Sequence, residues 1–125
     1  MSRILVIDDD APMRGLVRRV LEGAGYEVVE APNGKVGIQL YRTERPDVVI
    51  IDMIMPVMGG VETIIHIRSD CERAKIIAIS GETGFDVPAI DLRVAEIVGA
   101  SRALAKPISS SELLKAVSEL LDLSV

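Results

Sequence analysis

Ile4-Leu5-Val6-Ile7-Asp8-Asp9-Asp10 sets a short, unbroken apolar run directly against three acids. A run that short, rich in β-branched residues and bounded by polar ones, predicts a strand buried on both faces. Its carboxylates then stand at the strand's C-terminal edge, where open α/β sheets place their ligands. Val48-Val49-Ile50-Ile51-Asp52 repeats the pattern with a single acid. Two parallel strands of this kind bring several negative charges to one spot. At about 4 Å and an effective dielectric near 20, each pair of carboxylates repels by roughly 4 kcal/mol. Raised pKa values or a divalent cation must offset that repulsion.

The remaining chain extends the alternation. Met13, Leu16, Val17, Val20, Leu21 and Ala24 follow helical spacing, with Pro12 in a first turn and Gly25 as a stop. Tyr26 to Ala31 reads as a second strand, and Asn33-Gly34 turns into a helix over about 35–44. A loop follows Asp52 and leads into a helix over about 61–69, then a strand from Lys75 to Ser80. A helix from near Pro88 places Ile90, Val94, Ile97 and Val98 on one face, and Gly99 caps it. A strand over Arg102 to Ala105 stops at Lys106-Pro107. The last helix opens on a capping box, Ser109 with Glu112, and carries a stripe of Leu113, Leu114, Val117, Leu120 and Leu121. Five strands alternating with five helices predict a doubly wound parallel sheet with helices on both faces.

Composition narrows the classes. At 125 residues the chain is long enough for one domain with a core. Hydrophobic residues reach 49% with only 2% aromatic, so aliphatic side chains must build that core. A net charge of −5 and the lack of a basic run argue against nucleic acid or an anionic membrane surface as partner. The lone Cys71 permits no internal disulfide and fits a reducing cytoplasm. Met1-Ser2-Arg3 runs straight into a strand, which predicts no signal peptide, and no apolar run approaches the ~18 residues of a membrane span.

In the predicted topology Asp8, Asp9, Asp10, Asp52, Ser80 and Lys106 meet on one sheet edge. Hard carboxylate oxygens suit Mg²⁺, with Mn²⁺ as the alternative, while a hydroxyl and a fixed ammonium suit phosphoryl oxygens. Such a group works by positioning and electrostatics, as phosphoryl transfer requires.

These residues and spacings resemble the receiver domains of two-component response regulators, the chemotaxis response regulators among them. The marks are Ile7-Asp8-Asp9, Asp52 with Met55-Pro56, Ser80-Gly81, and Gly99-Ala100 before Lys106-Pro107, and the likeness runs from Arg3 to about Leu121. The resemblance implies a flavodoxin-like (βα)5 sheet of strand order 2-1-3-4-5 and a single receiver domain over 1–125. It implies that Asp52 accepts a phosphoryl group from a histidine kinase or a histidine phosphotransfer protein. Asp9, Asp52 and the Ile54 backbone carbonyl would ligate Mg²⁺, with Asp8 acting through a water. Ser80 and Lys106 would hold phosphoryl oxygens and couple the modification to a shape change. The start of the first helix with the Pro107-Ile108 loop would receive the donor. The fourth helix, fifth strand and fifth helix, with an exposed Leu92, would face an output target. The expected module is a cytoplasmic switch rather than an enzyme, monomeric or weakly dimeric, whose chemistry is limited to self-catalysed phosphoryl transfer and loss.

Some positions depart from the family pattern. Ala103 stands where an aromatic switch residue is usual, and Met58-Gly59-Gly60 replaces the usual Met-Asp-Gly. A long loop with Gly81 and Gly84 follows the fourth strand, and Ile54 and Glu82 are expected to set the phosphoryl lifetime. Bland readings apply elsewhere: Asp10 as a helix cap, His66 on a surface, and Arg14, Arg18 and Arg19 as a solvated face, with a docking patch as the alternative for the arginines. Two other functions fit parts of the pattern. A haloacid-dehalogenase-type phosphatase would use Asp8 and Asp10, but Pro12 occupies the position of its usual Thr or Val, and a chain of this length is expected to lack the cap such enzymes need. A pseudo-receiver that binds partners unphosphorylated would not need all five site residues.

Overall fold

The structure is a computed structural model that describes residues 2–53, 58–80 and 92–122, with 92–94 in backbone only. Its elements are β1 (Arg3–Ile7), α1 (Ala11–Gly23), β2 (Glu27–Ala31), α2 (Gly34–Glu44) and β3 (Val48–Asp52). They continue as α3 (Gly60–Asp70), β4 (Ile76–Ser80), α4 (Leu92–Val98), β5 (Arg102–Ala105) and α5 (Ser110–Asp122). The five strands are parallel in the order β2-β1-β3-β4-β5, so the expected sheet is the one observed.

Strand alternation divides the core between the two sheet faces. Leu5, Ile7, Val49, Ile51, Ile76 and Ala78 point to the side covered by Ile38 of α2, Ile64 and Ile67 of α3, and Ala95 of α4. Ile4, Val6, Val48, Ile50, Ile77 and Ile79 point the other way, against Val17 and Leu21 of α1 and Leu113, Val117 and Leu120 of α5. Having helices on both faces is what permits unbroken apolar strands.

Caps explain where the helices begin and end. Asn33 accepts the Val36 N–H at 2.9 Å at the head of α2, and Ser109 accepts the Glu112 N–H at 3.0 Å at the head of α5. Gly25 and Gly99 take φ of +93° and +125° just past α1 and α4, the left-handed region that ends helices without a Cβ penalty. Arg68 of α3 fastens three loop carbonyls: Glu72 at 2.7 Å, Ala74 at 2.6 Å, and Gly99 beyond the end of α4.

Two side chains expected in the core are not there. Ile97 is 81% exposed, because α4 turns Ala95 rather than Ile97 into the sheet. Leu16 is half exposed, since the seam between α1 and α5 opens at that level. His66 is exposed, as expected. The expected start of α4 near Pro88, the Gly81–Gly84 loop, the Ile90 position and the side chains of Leu92 and Val94 lie outside the described residues.

Candidate acidic phosphoryl site

The site grows out of strand register. Ile7 pairs with Ile51, Asp52 with Ile79 and Ser80 with Ala105, so β1, β3, β4 and β5 end together at one edge. Lys106 is carried to this edge by its own backbone, whose N–H donates to the Ser80 carbonyl at 2.9 Å.

Asp8 continues the line of β1. Its N–H donates to the Ala31 carbonyl on β2 at 3.1 Å, and its carboxylate accepts the Asp10 N–H at 2.9 Å. Carboxylate oxygens of Asp8, Asp9 and Asp52 lie within 4.8 Å of one another. Asp8 and Asp52 are each 4% exposed, while Asp9 opens to solvent. Asp10 leaves the group: it caps α1, accepting the Met13 N–H at 3.3 Å. The Lys106 ammonium stands 3.4 Å from Asp52 Oδ2.

Three carboxylates against one nearby ammonium leave an excess of negative charge. Asp8 registers it. Burial above all, then the Asp52 charge and a hydrogen bond with the Asp52 carboxyl, push Asp8 up to about 6, against the opposing pull of the Asp10 N–H and Lys106. Carboxylate oxygens converging on a point, one side of it open, fit a hard divalent cation such as Mg²⁺. The structure therefore brings together Asp8, Asp9, Asp52 and Lys106, with Ser80 buried at the end of the adjoining strand. Ile54, Met55-Pro56 and Glu82 lie outside the described residues.

Sequence reasoning misses the surroundings. Arg14 and Arg18 are not simply part of a solvated face, since both bind Glu30 on β2. Only knowledge of which strand lies beside α1 could have paired them. Ala103 is half-buried opposite Ala78, where it packs a methyl against the core. Beside Lys106, a groove of about 200 Å³ runs between α1 and the start of α5, floored by Met13, Leu16, Val20, Pro107, Ile108 and Leu113.

Comparison with known proteins gives a consistent answer. The family model of the response regulator receiver domain matches residues 4–118. The chain is 34% identical over 121 residues to the chemotaxis protein CheY of Thermotoga maritima, covering 94% of this chain and 96% of that one. It is 35% identical over 120 residues to the response regulator MprA of Mycolicibacterium vanbaalenii, covering 95% of this chain but only 50% of MprA. Among solved structures, Vibrio cholerae CheY4 superposes with a TM-score of 0.84 at 32% identity, covering 97% of this chain and 99% of that one. A receiver domain protein from Clostridium thermocellum gives 0.88 at 27% identity, covering 98% and 95%.

Proposed function

The chain belongs to the response regulator receiver family, and on that premise we propose that Asp52 is the phosphoacceptor of a two-component signalling module. Membership places the protein among signalling modules rather than classical enzymes, and neither the phosphatase nor the pseudo-receiver reading gains any support. The observation that carries the assignment is the position of Asp52: buried at the end of β3, beside the Lys106 ammonium and within reach of Asp8 and Asp9.

In this reading a phosphohistidine on a partner protein is the donor. An Asp52 carboxylate oxygen attacks phosphorus, the P–N bond breaks, an acyl phosphate O–P bond forms, and the imidazole leaves and takes up a proton. Lys106 neutralises charge on the phosphoryl oxygens and the Ser80 hydroxyl donates to one of them. Asp9, Asp52 and the Ile54 carbonyl would hold Mg²⁺, with Asp8 through a water. The ion would supply charge neutralisation on the transferring group. Loss of the phosphoryl group is hydrolysis, with water attacking the same phosphorus. Residues 1–125 act as one receiver domain, and the expected setting is the cytoplasm. Among the described residues no helix is long and apolar enough to cross a membrane.

The apolar groove beside Lys106 supports a donor docking there, since a helical partner burying Leu16 and Ile108 would bring its histidine to the acidic edge. A modified Asp52 shifts the domain's equilibrium only as far as the phosphoryl group favours one conformation over another. Intact mass after incubation with Mg²⁺ and acetyl phosphate tests the assignment. One added phosphoryl group is expected, absent in Asp52→Asn and in chelator. Its retention in Asp52→Asn would remove the acceptor from its role.

A further inference from the structure

Arg14 does two things at once at the rim of the acidic pocket. Its Nη1 donates to the backbone carbonyl of Asp8 at 2.7 Å, and its Nε donates to Glu30 Oε1 at 2.9 Å. Glu30 is held from its other oxygen by Arg18, at 2.5 Å, and Arg18 in turn pairs with Glu22 at 3.2 Å. These bonds hold the Glu30 carboxyl below the usual carboxylate range, with Arg18 the largest contributor. The Arg14 side chain is only 17% exposed. Its guanidinium is a planar fork with two directions already committed, so it presents Nη1 to Asp8 in a defined orientation.

The bonded atom explains why this matters to the pocket. The Asp8 carbonyl belongs to the peptide plane that joins Asp8 to Asp9, and that plane is rigid. Asp8 is tied on its other side by its N–H to Ala31. With both ends of the residue fixed, the direction in which Asp9 leaves the plane is constrained, although Asp9 itself is exposed.

We propose that Arg14, braced by Glu30, is a positioning residue for the acidic pocket: by holding the Asp8–Asp9 peptide it aims the Asp9 carboxylate at the point shared with Asp8 and Asp52. The inference rests on the reading of that pocket as a divalent-cation site. Arg14 touches neither cation nor phosphoryl group and acts only through the peptide.

Simple electrostatics predicts the opposite effect of removing it. Deleting a cation near three carboxylates, and leaving Glu30 with Arg18 alone as its partner, strengthens the attraction for a divalent ion. Loss of positioning weakens it, by about tenfold or more for residues that orient ligands from behind. The sign decides between them.

The experiment is calorimetric titration of the full chain with Mg²⁺, at fixed pH and ionic strength, for wild type, Arg14→Met, Arg14→Lys and the charge-balanced pair Arg14→Met/Glu30→Gln. Amide NMR shifts of Asp8 and Asp9 are followed alongside. Expected are a dissociation constant raised about tenfold in Arg14→Met and in the pair, a smaller rise in Arg14→Lys, and shifts in the Asp8 and Asp9 amides before metal is added. A lysine keeps the charge but reaches one acceptor at a time, so its partial rescue separates geometry from charge. If Arg14→Met does not fold, Arg14→Lys carries the test, and wild-type affinity in that variant overturns the proposal. Unchanged or tighter binding in folded Arg14→Met overturns it as well. No Mg²⁺ binding by the wild type would instead bring down the cation reading on which it rests.

Discussion

Lys106 Nζ lies 3.4 Å from Asp52 Oδ2, a separation at which charge attraction is substantial but the hydrogen bond is long. Asp52 ends β3 and Lys106 follows β5, on either side of β4, and the two are 54 positions apart in sequence. The ammonium offsets only part of the negative charge gathered around it. Lys106→Met therefore leaves the three carboxylates with no ammonium between them, so Asp8 should titrate at still higher pH. The carboxyl carbon resonance of Asp8, followed by NMR against pH in wild type and variant, checks this. An unmoved midpoint would show that Lys106 does not govern the local field.

Asp8 makes stability depend on pH. Its folded value of about 6 exceeds the ordinary 3.8, so between these limits the folded state holds more protons than the unfolded. Its contribution is fully present below about pH 4, is lost as pH rises through about 6, and is flat above. Asp8→Asn removes this slope. At pH 7 the metal-free variant should be more stable than wild type by on the order of 2 kcal/mol, a figure kept below the full shift because water reaches the pocket past Asp9. Urea denaturation of both proteins from pH 4 to 8 without divalent ions measures it. Parallel curves would refute the assignment to Asp8.

Gly60 sits against the strand that carries Asp52. A Cβ there would come 2.5 Å from Met53 Cα and 2.8 Å from the Asp52 carbonyl oxygen, both backbone atoms. Gly60→Ala should cost about 1–3 kcal/mol of stability and slow phosphorylation of Asp52, since relief requires moving its strand end. Equal rates of acetyl phosphate labelling would show that the strand yields elsewhere.

Gly59 offers the reverse case. It is the N-cap of α3 with extended backbone, φ −70°, and no side-chain cap, and a Cβ at this position would meet nothing within 4 Å. Gly59→Asp should stabilise the fold by a few tenths of a kcal/mol, through capping and the helix dipole. A lower midpoint in urea would contradict it.

Arg68, half-buried, should be among the more costly polar substitutions. Arg68→Ala removes donors to Glu72, Ala74 and Gly99, and a loss of about 2–3 kcal/mol is expected. Arg68→Lys should recover less than half, because one ammonium cannot span three carbonyls. Denaturant midpoints for both variants test this.

The strands were legible because burial on both faces leaves an unbroken apolar run that no surface element imitates, as in Ile4 to Ile7 and Val48 to Ile51. The caps at Asp10 and Ser109 were legible too, since each acts on a residue three positions away. Asp8, Asp9, Asp52 and Lys106 could be gathered because each directly ends or follows a strand. What could not be read was pairing across elements. Glu30 belongs on β2 and Arg14 on α1, and no local pattern announces their bond. Ile97 shows the other limit: on a helix of seven residues, periodicity allows more than one apolar face, and packing chose Ala95.

The clasp of Arg68 on Gly99 bears on how a receiver with Ala103 in place of a ring can transmit a signal. It ties the C-terminal end of α4 to α3. Any displacement of α4 that kept this bond would be a rotation about Gly99, with an amplitude that grows with distance from it. The lever is longest at the end of the helix that follows Ser80 in the chain.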